Sequence, residues 1–168
     1  MFKLLRDKRN KKRCLLAPER PEPLQYLQGE LQREIYNKFD SKLSLYIIDT
    51  GSCGACEIEL QNLFNPFYDV STLGIEVVYD VKKADILLIT GLLTQNMYEE
   101  CKRVYTELNE PKRVITVGDC PVMLAPFKES FAIKGESNIH FNVVHHISGC
   151  PPEPTIILEG LLGYLKRV

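Results

Sequence analysis

Long apolar runs are what this sequence has least of. The longest, "ADILLITGLL", stops well short of the roughly 20 residues that span a bilayer, so no segment is expected to cross a membrane. Net charge is nearly absent as well: 21 Lys and Arg against 22 Asp and Glu leave −1 at pH 7. So balanced a chain casts no global field toward polyanions, and no nucleic-acid partner is expected. The opening residues, "MFKLLRDKRNKKR", are too charged to contain the apolar stretch of a signal peptide. That sets aside a secreted disulfide framework for the six cysteines at positions 14, 53, 56, 101, 120 and 150. In a reducing compartment such spacings more often mean metal or catalysis. Repeats, low-complexity tracts, a glycine-rich phosphate loop, an HExxH pair and a Ser/His/Asp order are all missing. Nothing indicates bond chemistry carried out by this chain alone.

What is present fits one soluble globular domain: 168 residues, 45% apolar and 26% charged, enough to bury a core without disulfide staples. Residues 1–20 hold eight Lys or Arg against Asp7 and Glu19, a net of +6. "APERPEP" then reads as a stiff spacer. This basic arm is either a solvated tail or a strand of chain lying on a partner or beside anionic head groups. Leu24, Leu27, Leu31 and Ile35 recur at helical spacing, so "LQYLQGELQREIYNKF" is predicted as an amphipathic helix despite Gly29. Its stripe could cover this chain's own core or a neighbour, and at least part of it is expected to be intermolecular. Residues 1–42 are thus an arm, spacer and helix, and 43–168 a second unit.

From Leu43 strands and helices alternate. "LSLYIID", "GIEVVYD", "ADILLIT", "KRVITVGDC" and "FNVVHHISGC" read as strands; "QNMYEECKRVYTEL" and "TIILEGLLGYLKRV" read as helices, and a further helix runs from the cysteine turn to about Phe64. Parallel neighbours need crossover connections, so the fold class is α/β, with a mostly parallel, doubly wound sheet. Cys53 and Cys56 follow the first strand, Cys120 closes the fourth and Cys150 the fifth. Ligands of open α/β sheets bind outside the carboxyl ends of the strands. Four thiols from three such ends, each flanked by Gly or Pro, can converge on one spot. Cys14 lies in the arm and Cys101 faces inward from a helix stripe with Met97, Val104 and Leu108, so both are excluded.

Three chemistries suit such a set. A thiol–disulfide pair would explain Cys53 and Cys56, since a helix N-terminus lowers a thiol pKa, but would leave Cys120 and Cys150 idle. Structural zinc accepts four thiolates, though zinc ribbons usually use two Cys-x-x-Cys knuckles and here there is one. A 4Fe–4S cluster uses all four positions. His145 and His146 alternate on a strand, so one is expected to face solvent and the other to pack. Glu57 and Glu59 can be read as first-turn carboxylates complementing the helix dipole.

"GSCGACEIE", "VGDCP" and "GCPPEP", in this order, resemble the small subunit of nickel–iron hydrogenases and the related 20-kDa subunit of respiratory complex I. The resemblance runs over about Leu43–Val168. The two-residue gap between Cys53 and Cys56 is nearer the hydrogenase side than the adjacent cysteine pair of complex I. "GDC" followed by "FKES" is most similar to the membrane-bound, energy-converting Ech and CO-induced branch. The family usually has glycine where this chain has Leu124. The resemblance implies a flavodoxin-like domain holding one 4Fe–4S cluster on Cys53, Cys56, Cys120 and Cys150. Because the sequence ends one helix after Cys150, no further cluster is expected. An acidic residue near Glu59 is linked in the family to proton movement where the subunits meet.

The implied role is a non-catalytic electron-relay subunit of an oxidoreductase complex. It would sit peripherally on the cytoplasmic side of the membrane. Its implied partners are a nickel–iron or similar large subunit, a ferredoxin-like subunit and ion-pumping membrane subunits. The alternatives are the same relay serving sulfur-compound or quinone reduction and, from other classes, a thiol–disulfide oxidoreductase or a zinc-stabilised interaction module.

Overall fold

A computed structural model describes residues 20–123, 127 and 129–168. In chain order its elements are α1 (Glu22–Lys38), β1 (Leu43–Asp49), α2 (Ala55–Asn62), β2 (Ile75–Val77), β3 (Ile86–Thr90), β4 (Leu93–Thr94), α3 (Gln95–Glu107), β5 (Val114–Val117), β6 (Ile133–Gly135), α4 (Ser137–His140), β7 (Val143–Ile147) and α5 (Pro154–Leu165). Short 3₁₀ turns at Val70–Leu73 and Val81–Lys83 complete the crossovers to β2 and β3.

Five strands form one parallel sheet in the order β2-β1-β3-β5-β7. This is the flavodoxin-like order, in which the first strand sits one place from an edge and later strands add on its other side. β3 lies at the centre, and Ile86, Leu87, Leu88 and Ile89 have no exposed surface. A strand covered on both faces must be apolar throughout, which is why "ILLIT" lacks alternation. Successive side chains still point to opposite layers. Ile86, Leu88, Ile115 and Val117 pack with α1, α5 and Leu60 of α2, whereas Leu87, Ile89 and Val114 pack with Cys101, Val104 and Leu108 near α3. β4 and β6, too short to show a pattern in sequence, pair antiparallel outside the main sheet.

The stripe of α1 corrects one expectation. Leu24, Leu27, Leu31 and Ile35 are all buried within this chain, where α1 packs on α5 and the Val70–Leu73 turn. Gln28, between them, donates to Tyr68 O, and Lys38 donates to Leu165 O at the far end. Burying each aliphatic side chain gives about 1.5–3 kcal/mol, so the stripe secures the helix to this domain without a neighbour. Pro21 precedes the helix and Pro23 lies in its first turn, a position that needs no intrahelical N–H donor. The basic arm, with Cys14, lies outside the described residues, as does Leu124.

Candidate metal centre

β1 delivers the first two thiols through a turn built by its own last residue. Asp49 Oδ1 accepts from the N–H groups of Gly51 and Ser52 at 2.8 and 2.7 Å, reversing the chain directly after the strand. Ser52 Oγ accepts from Gly54 N at 2.9 Å and donates to Glu57 Oε2 at 2.9 Å. Gly54, at φ 85°, occupies the N-cap of α2. Cys53 is consequently exposed on the turn, and Cys56 is buried in the first helical turn.

β5 and β7 deliver the other two. Gly118 N donates to Ile147 O at 2.9 Å, carrying the strand pairing one residue beyond the end of β5. Cys120 follows, half-buried, and Cys150 is exposed just after Gly149. Gly118 has φ 84°, and a Cβ built there would stand 2.5 Å from Cys56 Sγ. The end of β5 therefore approaches the second thiol so closely that only glycine fits.

The electrostatics show that the four thiols share one neighbourhood. Cys56 is pushed up to about 12, first by burial and then by Glu57, Cys120, Cys53 and Cys150. Cys120 is also raised, first by burial and then by Cys150, Cys53 and Asp119, with a backbone hydrogen bond opposing. The helix N-terminus at Cys56 favours a thiolate, but desolvation and like charges outweigh it. This is the reverse of a redox-active thiol, whose pKa is lowered. A cationic metal core supplies the missing compensation, because coordination ionises a thiol outright. On chemistry and on the Gly118 cradle, the residues fit an iron–sulfur group. Among the described residues no three His, Cys, Asp or Glu are arranged to share a single ion.

The remaining residues distribute as follows. Cys101 is fully buried on α3, within the layer opposite α1. Glu57 has one carboxylate oxygen on Ser52 and the other, Oε1, buried with no hydrogen-bond partner. Glu59 accepts from Asn62 Nδ2 at 3.2 Å on the same helix. Neither histidine is fully solvated, contrary to the strand alternation: both are half-buried. His145 stacks on Tyr164, and His146 Nδ1 lies 2.9 Å from Thr116 Oγ1. A cavity of about 850 Å³ beside β1 and β2, with Tyr46, Leu60, Phe64 and Val77 in its wall, reaches the site through Glu57. Asp119, which bonds across to the Cys150 loop, carried no signal in the sequence because its partners lie about 30 residues on.

Residues 53–164 match the family described as NADH ubiquinone oxidoreductase, 20 Kd subunit. The chain is 35% identical to the "probable membrane-bound hydrogenase subunit mbhJ" of Pyrococcus furiosus over 74% of either protein. It is 30% identical to an NADH-quinone oxidoreductase subunit of Clostridium beijerinckii, over 84% of this chain and 88% of that one. Among solved structures it is similar to a chain of the membrane-bound sulfane sulfur reductase, an archaeal respiratory membrane complex. That match has TM-score 0.66 and 25% identity, over 79% of this chain and 74% of the other.

Proposed function

Because the chain belongs to the family of the 20-kDa subunit of NADH ubiquinone oxidoreductase, we propose that it relays electrons through one 4Fe–4S cluster on Cys53, Cys56, Cys120 and Cys150. The observation that carries this reading is the placing of four thiols at three strand ends of one sheet, with the end of β5 brought against Cys56 Sγ at Gly118. A cubane binds one thiolate per iron, so its ligands need not converge on one point. When bound, the cluster supplies one-electron transfer. The chain's own part is to orient the thiols, bury Cys56 and leave one side open.

The open side is where a partner belongs. Cys53 and Cys150 are exposed, and Ile58, Met123 and Phe127, which follow Cys56 and Cys120 in sequence, are exposed apolar residues. Exposed apolar side chains beside an exposed ligand set mark an interaction surface. The partner there is a large subunit with a nickel–iron or similar active site, and a ferredoxin-like subunit feeds the relay. Membrane subunits anchor the assembly on the cytoplasmic face and pump ions. Among the described residues no helix is long and apolar enough to cross a membrane. Glu59 is the residue of this chain to test for a proton path. Likeness to the sulfane sulfur reductase chain favours a second reading, in which the same relay serves reduction of a sulfur compound.

Anaerobic purification of the complex tests the cluster. Iron and acid-labile sulfide are expected, with a paramagnetic signal on reduction that Cys120→Ser removes. Zinc without iron overturns the proposal. Two Cys-x-x-Cys pairs in the co-purifying large subunit decide for nickel–iron over sulfur reduction.

A further inference from the structure

Among the described residues, Asp119 carries the hydrogen bonds that join the Cys120 loop to the Cys150 loop beyond the strand pairing. Asp119 donates its backbone N–H to Gly149 O at 2.9 Å. Its Oδ1 accepts from Gly149 N–H at 2.9 Å and from the Ser148 hydroxyl at 3.1 Å. His146 Nε2 stands 3.8 Å from the same oxygen. Gly149 thus has both backbone groups committed to Asp119, and the two residues immediately precede Cys120 and Cys150.

We propose that Asp119 is a positioning residue: it holds the third and fourth thiols as one unit, and its fixed charge lowers the reduction potential of the cluster they bind. The inference rests on the cluster reading above. The loops come from strands that are neighbours in the sheet but far apart in sequence, and past the Gly118 N–Ile147 O bond it is the Asp119 contacts that tie them together. A charged acceptor makes hydrogen bonds roughly twice as strong as neutral ones, and here one carboxylate oxygen serves two donors. The same charge opposes any further negative charge placed beside it. An electron added to the cluster meets that repulsion, and nearby charge is among the factors that set such potentials.

Two substitutions separate the roles. Asn keeps an acceptor oxygen at the Oδ1 position but no charge; Ala keeps neither. In the anaerobically purified complex, Asp119→Asn should retain its iron and shift the midpoint potential upward in a redox titration followed by paramagnetic resonance. Asp119→Ala, which removes both bonds to Oδ1, should lose the cluster to air at least roughly tenfold faster, tenfold being the scale of one charge-assisted hydrogen bond. Ser148→Ala, which removes one bond, should fall between. Amide hydrogen exchange at Gly149 should quicken in Asp119→Ala and not in Asp119→Asn, with or without a cluster. Wild-type cluster lifetime and Gly149 exchange in Asp119→Ala overturn the positioning role. An unchanged potential in Asp119→Asn overturns the charge role. Wild-type complex lacking iron overturns the cluster reading and the redox half with it, while Gly149 exchange still decides the positioning half.

Discussion

Cys56 and Cys101 are both buried thiols pushed up to about 12, and they lie in very different regions. Burial is the larger cause for each. Beyond it, Cys101 feels Glu100, whereas Cys56 feels Glu57 and three more thiols. Buried cysteine commonly behaves as a small hydrophobe, so burial alone identifies nothing. The company a thiol keeps does. Around Cys101 the chain finishes its own core with Leu87, Ile89, Val104 and Phe141. Around Cys56 the strand ends stop at an edge where two further thiols, Cys53 and Cys150, are exposed. One region is closed within this chain, and the other is open at its edge.

Exchanging the two thiols is the sharpest way to break that contrast. Cys56→Ser should abolish the reducible iron–sulfur signal, and Ser at 53, 120 or 150 should abolish or degrade it. Cys101→Ser should keep the signal and cost about 1–3 kcal/mol, the penalty of a buried hydroxyl without a partner, read by denaturant unfolding. Next in size, Gly118→Ala should eject the cluster through the 2.5 Å approach to Cys56 Sγ. Its backbone strain should add about 1–3 kcal/mol, and iron content checks it. In the opposite sense, Leu31→Ala should cost about 2–5 kcal/mol by opening a cavity under α1. Molecules that stay folded should still bind iron. The smallest effect is at His145, held below its ordinary value by burial and then by Arg167 and His146. The unfolded chain takes up that proton first, so stability should fall as pH drops from about 6.5 toward the lowered folded value. His145→Gln should flatten that part of the pH–stability curve.

The strands were legible because a doubly covered sheet demands apolar runs, and "ILLIT" can be little else. Parallel order followed from the helices between them. The four thiols were legible because each sits in a Gly- or Pro-flanked turn at a strand end. Other features depended on contacts that no local pattern encodes. A helical period reveals that α1 has an apolar stripe, but only α5, more than 100 residues later, reveals what covers it. Alternation sends His145 and His146 to opposite faces, yet Tyr164 and Thr116 half-cover them both. β4 and β6, of two and three residues, are too short for any periodicity.

The parallel sheet also sets a timetable. A hairpin can bring neighbouring residues together as soon as both are made, but parallel strands wait for a crossover. Cys56 reaches its surroundings only when β5 places Gly118 beside it and β7 places Cys150, and positions 56 and 150 lie 94 residues apart. At ribosomal rates of about 5–20 residues per second, that interval is roughly 5–20 s. Until Cys120 is made, 64 residues after Cys56, the nascent chain displays Cys53 and Cys56 as a bare pair. The four thiols come together only once β7 has joined the sheet, so any group that needs all four meets a chain already folded.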